Sequence, residues 1–106
     1  MKFVMSLLSA AALTAAFATP ATAALDGAAL FKDKTCNACH GPKGDKPLMP
    51  NYPKIAGQNA AYTEQQMKDI KSGARNNGQT AAMKGVMHLV NDEEIKALSE
   101  YLSKLK

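Results

Sequence analysis

The sequence predicts an all-α fold of three principal helices joined by long loops. Apolar residues recur at helical spacing in the last quarter of the chain, and two further segments have helix caps in the right places. Dense Gly and Pro punctuation separates them, and strand-like alternation is lacking throughout.

The chain begins with a three-part export pattern. Lys2 supplies a positive start, Phe3 to Phe17 is an apolar run, and Ala21-Thr22-Ala23 offers small residues for cleavage. Residues 1–23 are therefore expected to be a signal peptide. The apolar run is shorter than the roughly 20 residues a bilayer span needs, and no second run is long enough to span. The domain is expected at residues 24–106, with no membrane span after cleavage.

The first helix is expected from Asp26, as its cap, to about Thr35, with Ala28, Ala29, Leu30 and Phe31 compatible with packing. Gly27 carries no side chain, so another helix can cross closely there. Residues 41–57 read as loop, because Gly41-Pro42, Gly44-Asp45, Pro47, Pro50, Pro53 and Gly57 interrupt any regular element. Such a loop cannot form a core of its own but can wrap a flat cofactor. The second helix runs from Asn59 to Ser72, with Tyr62, Gln66, Met67 and Ile70 on one face and Gly73 as its stop. Arg75 to Thr80 is polar and turn-like. The third helix is the clearest. Asn91 and Glu94 have the spacing of a capping box, Asp92, Glu93 and Glu94 suit the positive end of the helix dipole, and Ile95, Leu98, Tyr101, Leu102 and Leu105 form its apolar face.

Between the first two helices stands Cys36-Asn37-Ala38-Cys39-His40. Two thiols three residues apart can each add to a vinyl group of one haem, and the adjacent imidazole can ligate its iron; the string is a c-type haem attachment signal. Zinc is a poor alternative, since a structural site takes four protein ligands and the chain has only Cys36, Cys39, His40 and His88 without finger spacing. A redox dithiol would sit in a βαβ context, which is absent. One covalently bound haem c is thus the expected cofactor. About 83 residues remain after the leader, a length that is marginal for an unaided core. A haem at the centre supplies the missing apolar surface.

His40 is the expected proximal ligand. Its second ring nitrogen needs an acceptor to fix the ring, and Pro50 in the loop is the candidate to provide that carbonyl. The opposite axial position decides between electron transfer and catalysis. Met83, 43 residues after His40, lies in a segment that can return on the far side of a haem and is the leading candidate. Met87, one helical turn on, and His88 are alternatives. Met67 suits a helix core, and Met49 suits packing near the attachment point. A thioether ligand favours ferrous iron relative to a second histidine.

These residues carry a family resemblance over essentially the whole mature chain. The segment from Cys36 to Gly41, Asn51-Tyr52-Pro53-Lys54-Ile55-Ala56-Gly57-Gln58, Asp69 to Gly73 with Arg75, Ala82-Met83-Lys84-Gly85-Val86-Met87, and Asp92 to Leu102 resemble the small class I cytochromes c, in particular single domains of the c4, c5 and c-553 type. The resemblance implies a cytochrome c fold of three to five helices around one haem. The first and last helices would cross where Gly27 and Phe31 meet Leu98 and Tyr101. It also implies axial ligation by His40 and Met83. Pro50 sits near the family proline whose carbonyl receives the His40 hydrogen, in a loop one residue longer here. The single attachment motif sets the chain apart from full two-haem c4 proteins.

The functional expectation is a periplasmic, non-enzymatic carrier of single electrons. The alternative is the haem c subunit of a periplasmic dehydrogenase or other oxidoreductase complex. Partners would be redox proteins such as a membrane cytochrome complex, a terminal oxidase or a dehydrogenase, and the protein a monomer or weak dimer. The formal charge of +4 falls to about +3 without Lys2, and the lysines are scattered. This excludes a nucleic-acid-binding block and leaves room for weak steering toward acidic partners.

Overall fold

The computed structural model describes residues 25–106; the expected signal peptide, residues 1–23, lies outside them. Five helices form the described part: α1 (Gly27–Asp33), α2 (Cys36–His40), α3 (Ala60–Ser72), α4 (Thr80–Met87) and α5 (Asp92–Ser103). Among the described residues there is no strand. The all-α expectation holds, with two more helices than the three read from periodicity.

Helix α1 starts where Asp26 accepts hydrogen bonds from the backbone N–H groups of Ala28 and Ala29. It ends two residues earlier than expected, because Thr35 takes a left-handed backbone (φ 65°) and the attachment motif begins a separate helix. Asn59 caps α3 by accepting from the N–H of Tyr62, and Gly73 terminates it. In α5 the capping box is complete: Asn91 accepts from the N–H of Glu94 at 2.8 Å and donates its own N–H to the Glu94 carboxylate at 3.1 Å. Such caps satisfy N–H groups that the helix itself leaves unpaired.

Helix α5 packs against both α1 and α3, and α4 packs on α3. The core joins Leu30, Phe31, Met67, Ile70, Met87, Val90, Ile95, Leu98 and Leu102. Burying a side chain such as Leu98 or Ile95 contributes roughly 1.5–3 kcal/mol relative to exposure. At the α1–α5 crossing, a Cβ on Gly27 would lie 2.4 Å from the Tyr101 Cβ and 2.6 Å from the Ala97 carbonyl oxygen. Only glycine permits that approach. Phe31 and Tyr101 fill the crossing with ring centroids 5.9 Å apart at 54°, an arrangement that aromatic quadrupoles favour. Gly27, Phe31 and Tyr101 meet as the resemblance implies.

The packing leaves one side of the core open. The loop after α2, the cavity-facing side of α3 and the segment from Arg75 through α4 enclose that space.

Candidate functional site

Helix α2 is only five residues long, and its spacing decides what it presents. Positions i, i+3 and i+4 of a helix share a face, so Cys36, Cys39 and His40 are set side by side. All three line a cavity of about 480 Å³, within the size range of cofactor pockets, roughly 300–1,000 Å³. The thiols are free and half-buried. Burial pushes the Cys36 thiol above the ordinary cysteine range, outweighing the hydrogen bond to backbone at Cys36 that lowers it.

His40 is buried. Its Nδ1 lies 2.9 Å from the carbonyl oxygen of Pro53. A carbonyl can only accept, so Nδ1 carries the hydrogen and donates, which leaves the Nε2 lone pair available as a ligand. The partner is Pro53, not the expected Pro50. The reason lies in how the loop folds. Leu48 donates its N–H to the Cys39 carbonyl at 2.8 Å, and the Gly44 carbonyl accepts from the N–H groups of Ile55 and Ala56 at 2.8 and 3.1 Å. These bonds fold the loop so that Pro53 and Lys54 line the cavity, while Leu48, Met49 and Pro50 are left exposed. Gly41 makes the exit from α2 possible. It has φ +87°, and a Cβ there would lie 2.4 Å from the Lys46 carbonyl oxygen.

Helix α4 supplies Met83 to the cavity wall, half-buried and packed against the core. Met87 is in the core at 1% exposure and does not line the cavity. His88 is exposed at the C-terminal cap of α4. Of the methionines and histidine weighed for the second axial position, Met83 and Met67 line the cavity and Met87, His88 and Met49 do not. Met67 serves the core and the cavity wall together. The remaining wall is largely apolar, with Ile55, Ile70, Val86 and Leu102 prominent.

The donor set fits a covalently held haem: two thiols and an imidazole of fixed tautomer on one helix face, at the wall of an apolar cavity. Sequence reasoning missed Pro53, as well as Gln66 and Arg75 as parts of that wall. Both side chains follow from the helical face of α3 and the turn after it, but their convergence depends on tertiary packing.

Comparisons with known proteins agree with this geometry. The family model described as Cytochrome c matches residues 24–106. Cytochrome c-553 of Nitratidesulfovibrio vulgaris (strain Miyazaki F) is 35% identical over 105 residues, covering 99% of this chain and 100% of that protein. A protein named thiosulfate dehydrogenase electron acceptor from Thiomonas intermedia is 38% identical over 101 residues, 94% of this chain and 44% of that one. The crystal structure of reduced recombinant cytochrome c4 from Pseudomonas stutzeri superposes with a TM-score of 0.66 at 38% identity, covering 76% of this chain and 46% of that chain. The chain spans 34% and 49% of the lengths of two cytochrome c4 relatives it matches. With the family model matched along residues 24–106, a relative aligned over its full length and the helical fold in common, the chain belongs to the cytochrome c family, whose cofactor is covalently attached haem c.

Proposed function

We propose that this chain is a periplasmic monohaem electron carrier. In it, Cys36 and Cys39 would hold the haem through two thioether links, and His40 and Met83 would ligate its iron. The observation that carries this reading is the convergence of Cys36, Cys39, His40 and Met83 on one cavity, with the His40 tautomer set by Pro53. When bound, haem supplies one-electron Fe(III)/Fe(II) exchange. The chain's residues hold and tune it. The Pro53 carbonyl fixes the His40 ring and raises its basicity as a ligand. The Met83 thioether, a soft donor, favours the reduced state. The apolar walls from Ile55, Met67, Ile70, Val86 and Leu102 limit water entry.

The same arrangement argues for transfer of electrons rather than substrate chemistry. Histidine is the usual acid–base group near neutral pH; of the two here, His88 is exposed and off the cavity wall, and His40 is committed to Pro53. Export to the periplasm follows from the signal-like residues 1–23; no helix among the described residues is long and apolar enough to cross a membrane.

The second reading is the haem c subunit of a dehydrogenase or other oxidoreductase complex. The relative named thiosulfate dehydrogenase electron acceptor supports a dehydrogenase as the partner in this reading. In either case the partners are redox proteins, such as a membrane cytochrome complex, a terminal oxidase or a periplasmic dehydrogenase.

A reversible one-electron titration of the purified holoprotein, with carbon monoxide added to the reduced form, tests the proposal. A carrier with both axial positions filled titrates reversibly and does not bind carbon monoxide. Rapid binding would contradict the second protein ligand. Isolation in fixed stoichiometry with a catalytic chain would favour the subunit reading.

A further inference from the structure

Asn77-Gly78 is the one Asn-Gly pair in the chain. It lies in the turn that leads into α4, and Asn77 is exposed. The side chains of Asn59 and Asn91 are engaged as helix caps. Among the described residues, neither the Asn77 side-chain amide nor the Gly78 backbone N–H has a hydrogen-bond partner. Gly78 has φ +56°, and a Cβ there would meet nothing within 4 Å. Nothing packed beside Gly78 bars its nitrogen from the amide carbon of the preceding side chain.

The backbone carbonyl between them is firmly held. The Asn77 carbonyl oxygen accepts two hydrogen bonds, one from the Thr80 N–H at 3.1 Å and one from the Thr80 hydroxyl. Thr80 is buried, at 7% exposure. That carbonyl belongs to the same peptide unit as the Gly78 N–H. When the nitrogen loses its proton, peptide resonance carries the negative charge onto the oxygen. Two donors already aimed at that oxygen stabilise the anion, as in an oxyanion hole. Hydrogen bonds to a charged acceptor are stronger than those to a neutral one, so Thr80 raises the share of the deprotonated, nucleophilic nitrogen.

We propose that Asn77 is a self-modifying site, at which the Gly78 nitrogen attacks the side-chain amide with help from Thr80 and converts it to an acid. The Gly78 nitrogen gives its proton to solvent base and bonds to Cγ of Asn77. The Cγ–Nδ2 bond breaks, Nδ2 takes up a proton and leaves as ammonia, and a cyclic imide remains. Water then opens the imide at either carbonyl, leaving aspartate or isoaspartate at that position. The sum is amide plus water to acid plus ammonia, with no change of oxidation state. Isoaspartate adds a carbon to the main chain in the turn where Thr80 starts α4, and a negative charge to the cavity wall that Asn77 helps to form. Its effect on the iron rests on the Met83 ligation proposed above: α4 carries Met83, so the isoaspartyl form holds the thioether less firmly.

The test ages the holoprotein and its Thr80→Val and Thr80→Ser variants at neutral and at mildly alkaline pH. The peptide containing Asn77 is followed by mass spectrometry, with aspartate and isoaspartate separated by chromatography. The expected result is an acid at this position in both isomeric forms, appearing faster at the higher pH. Thr80→Val slows the conversion about tenfold, the loss of one hydrogen bond to a charged acceptor. Thr80→Ser, which keeps the hydroxyl, reacts like wild type. A turn merely loosened by losing the hydroxyl would react faster, so the sign separates the two roles. The isoaspartyl fraction, isolated by ion exchange and reduced, binds carbon monoxide faster than unaged protein. An Asn77 amide intact after alkaline ageing, or a Thr80→Val protein that reacts as fast as wild type, overturns this inference and leaves the His40–Met83 reading standing. Conversion at the expected rates in a protein that binds carbon monoxide readily before ageing overturns the Met83 ligation and not the Asn77 chemistry.

Discussion

The His40 Nδ1 atom lies 2.9 Å from the carbonyl oxygen of Pro53, 13 residues further along the chain. The contact joins the attachment helix to the loop that closes over it. It also fixes which ring nitrogen is free to bind iron.

Pro50 and Pro53 should therefore behave differently. Pro53→Gly retains a carbonyl but frees the backbone that aims it. Exchange of the His40 Nδ1 hydrogen, followed by nitrogen-15 NMR of the reduced protein, should accelerate about fivefold, the equivalent of about 1 kcal/mol of hydrogen bond. Pro50→Gly, in an exposed turn, should leave that exchange unchanged. The opposite pattern would restore Pro50 as the partner.

Two glycines in helices should respond to alanine with opposite signs. Gly27→Ala forces a methyl group to 2.6 Å from the Ala97 carbonyl oxygen and 2.4 Å from the Tyr101 Cβ. The α1–α5 crossing must open, at roughly 1–3 kcal/mol. Gly85→Ala in α4 meets nothing within 4 Å and should stabilise by roughly 0.5–1 kcal/mol through helix entropy. Denaturant unfolding of the holoproteins measures both.

Glu94 makes part of the stability pH-dependent. The Asn91 backbone N–H first, and Lys34 next, hold its carboxyl below the usual glutamate value. A carboxyl depressed by folding adds stability above its unfolded pKa of about 4.3, and that share is lost as pH falls through the folded value. Wild type should lose more stability than Glu94→Gln over this acid range, while Glu94→Gln is already weaker at neutral pH. Parallel curves for the two proteins would remove the capping box and the Lys34 pair from the acid response.

Most of this architecture was legible in the sequence because it rests on local signals. Asn59, Gly73 and the Asn91–Glu94 box mark helix ends through hydrogen bonds made within a few residues. Gly27 and the apolar spacing of α5 anticipate the crossing. Helix α4 was not legible as a helix: Gln79 makes no side-chain cap, Gly85 lowers its propensity, and it is packed against α3. The break at Thr35 was hidden for a related reason, since a β-branched residue with positive φ is disfavoured locally. Its conformation separates α1 from the attachment helix. At the site, the pentapeptide announces its own chemistry, but the choice between Pro50 and Pro53 is made by loop bonds to Cys39 and Gly44, which no local pattern encodes.

Met87 provides the contrast for the ligand assignment. It is fully buried with the core and does not line the cavity. Met87→Ala should lower unfolding stability by roughly 2–5 kcal/mol yet keep the optical signature of the native iron site. Loss of that signature at native-like stability would move the ligand from Met83 to Met87.

The most direct measurement is the methionine–iron charge-transfer band of the oxidised protein, recorded for wild type and Met83→Ala with carbon monoxide binding to the reduced forms. The band should be present in wild type and absent in Met83→Ala. Only the variant should bind carbon monoxide readily, and its potential should be lower. An unchanged band in Met83→Ala, or none in wild type, would contradict an electron carrier ligated by His40 and Met83.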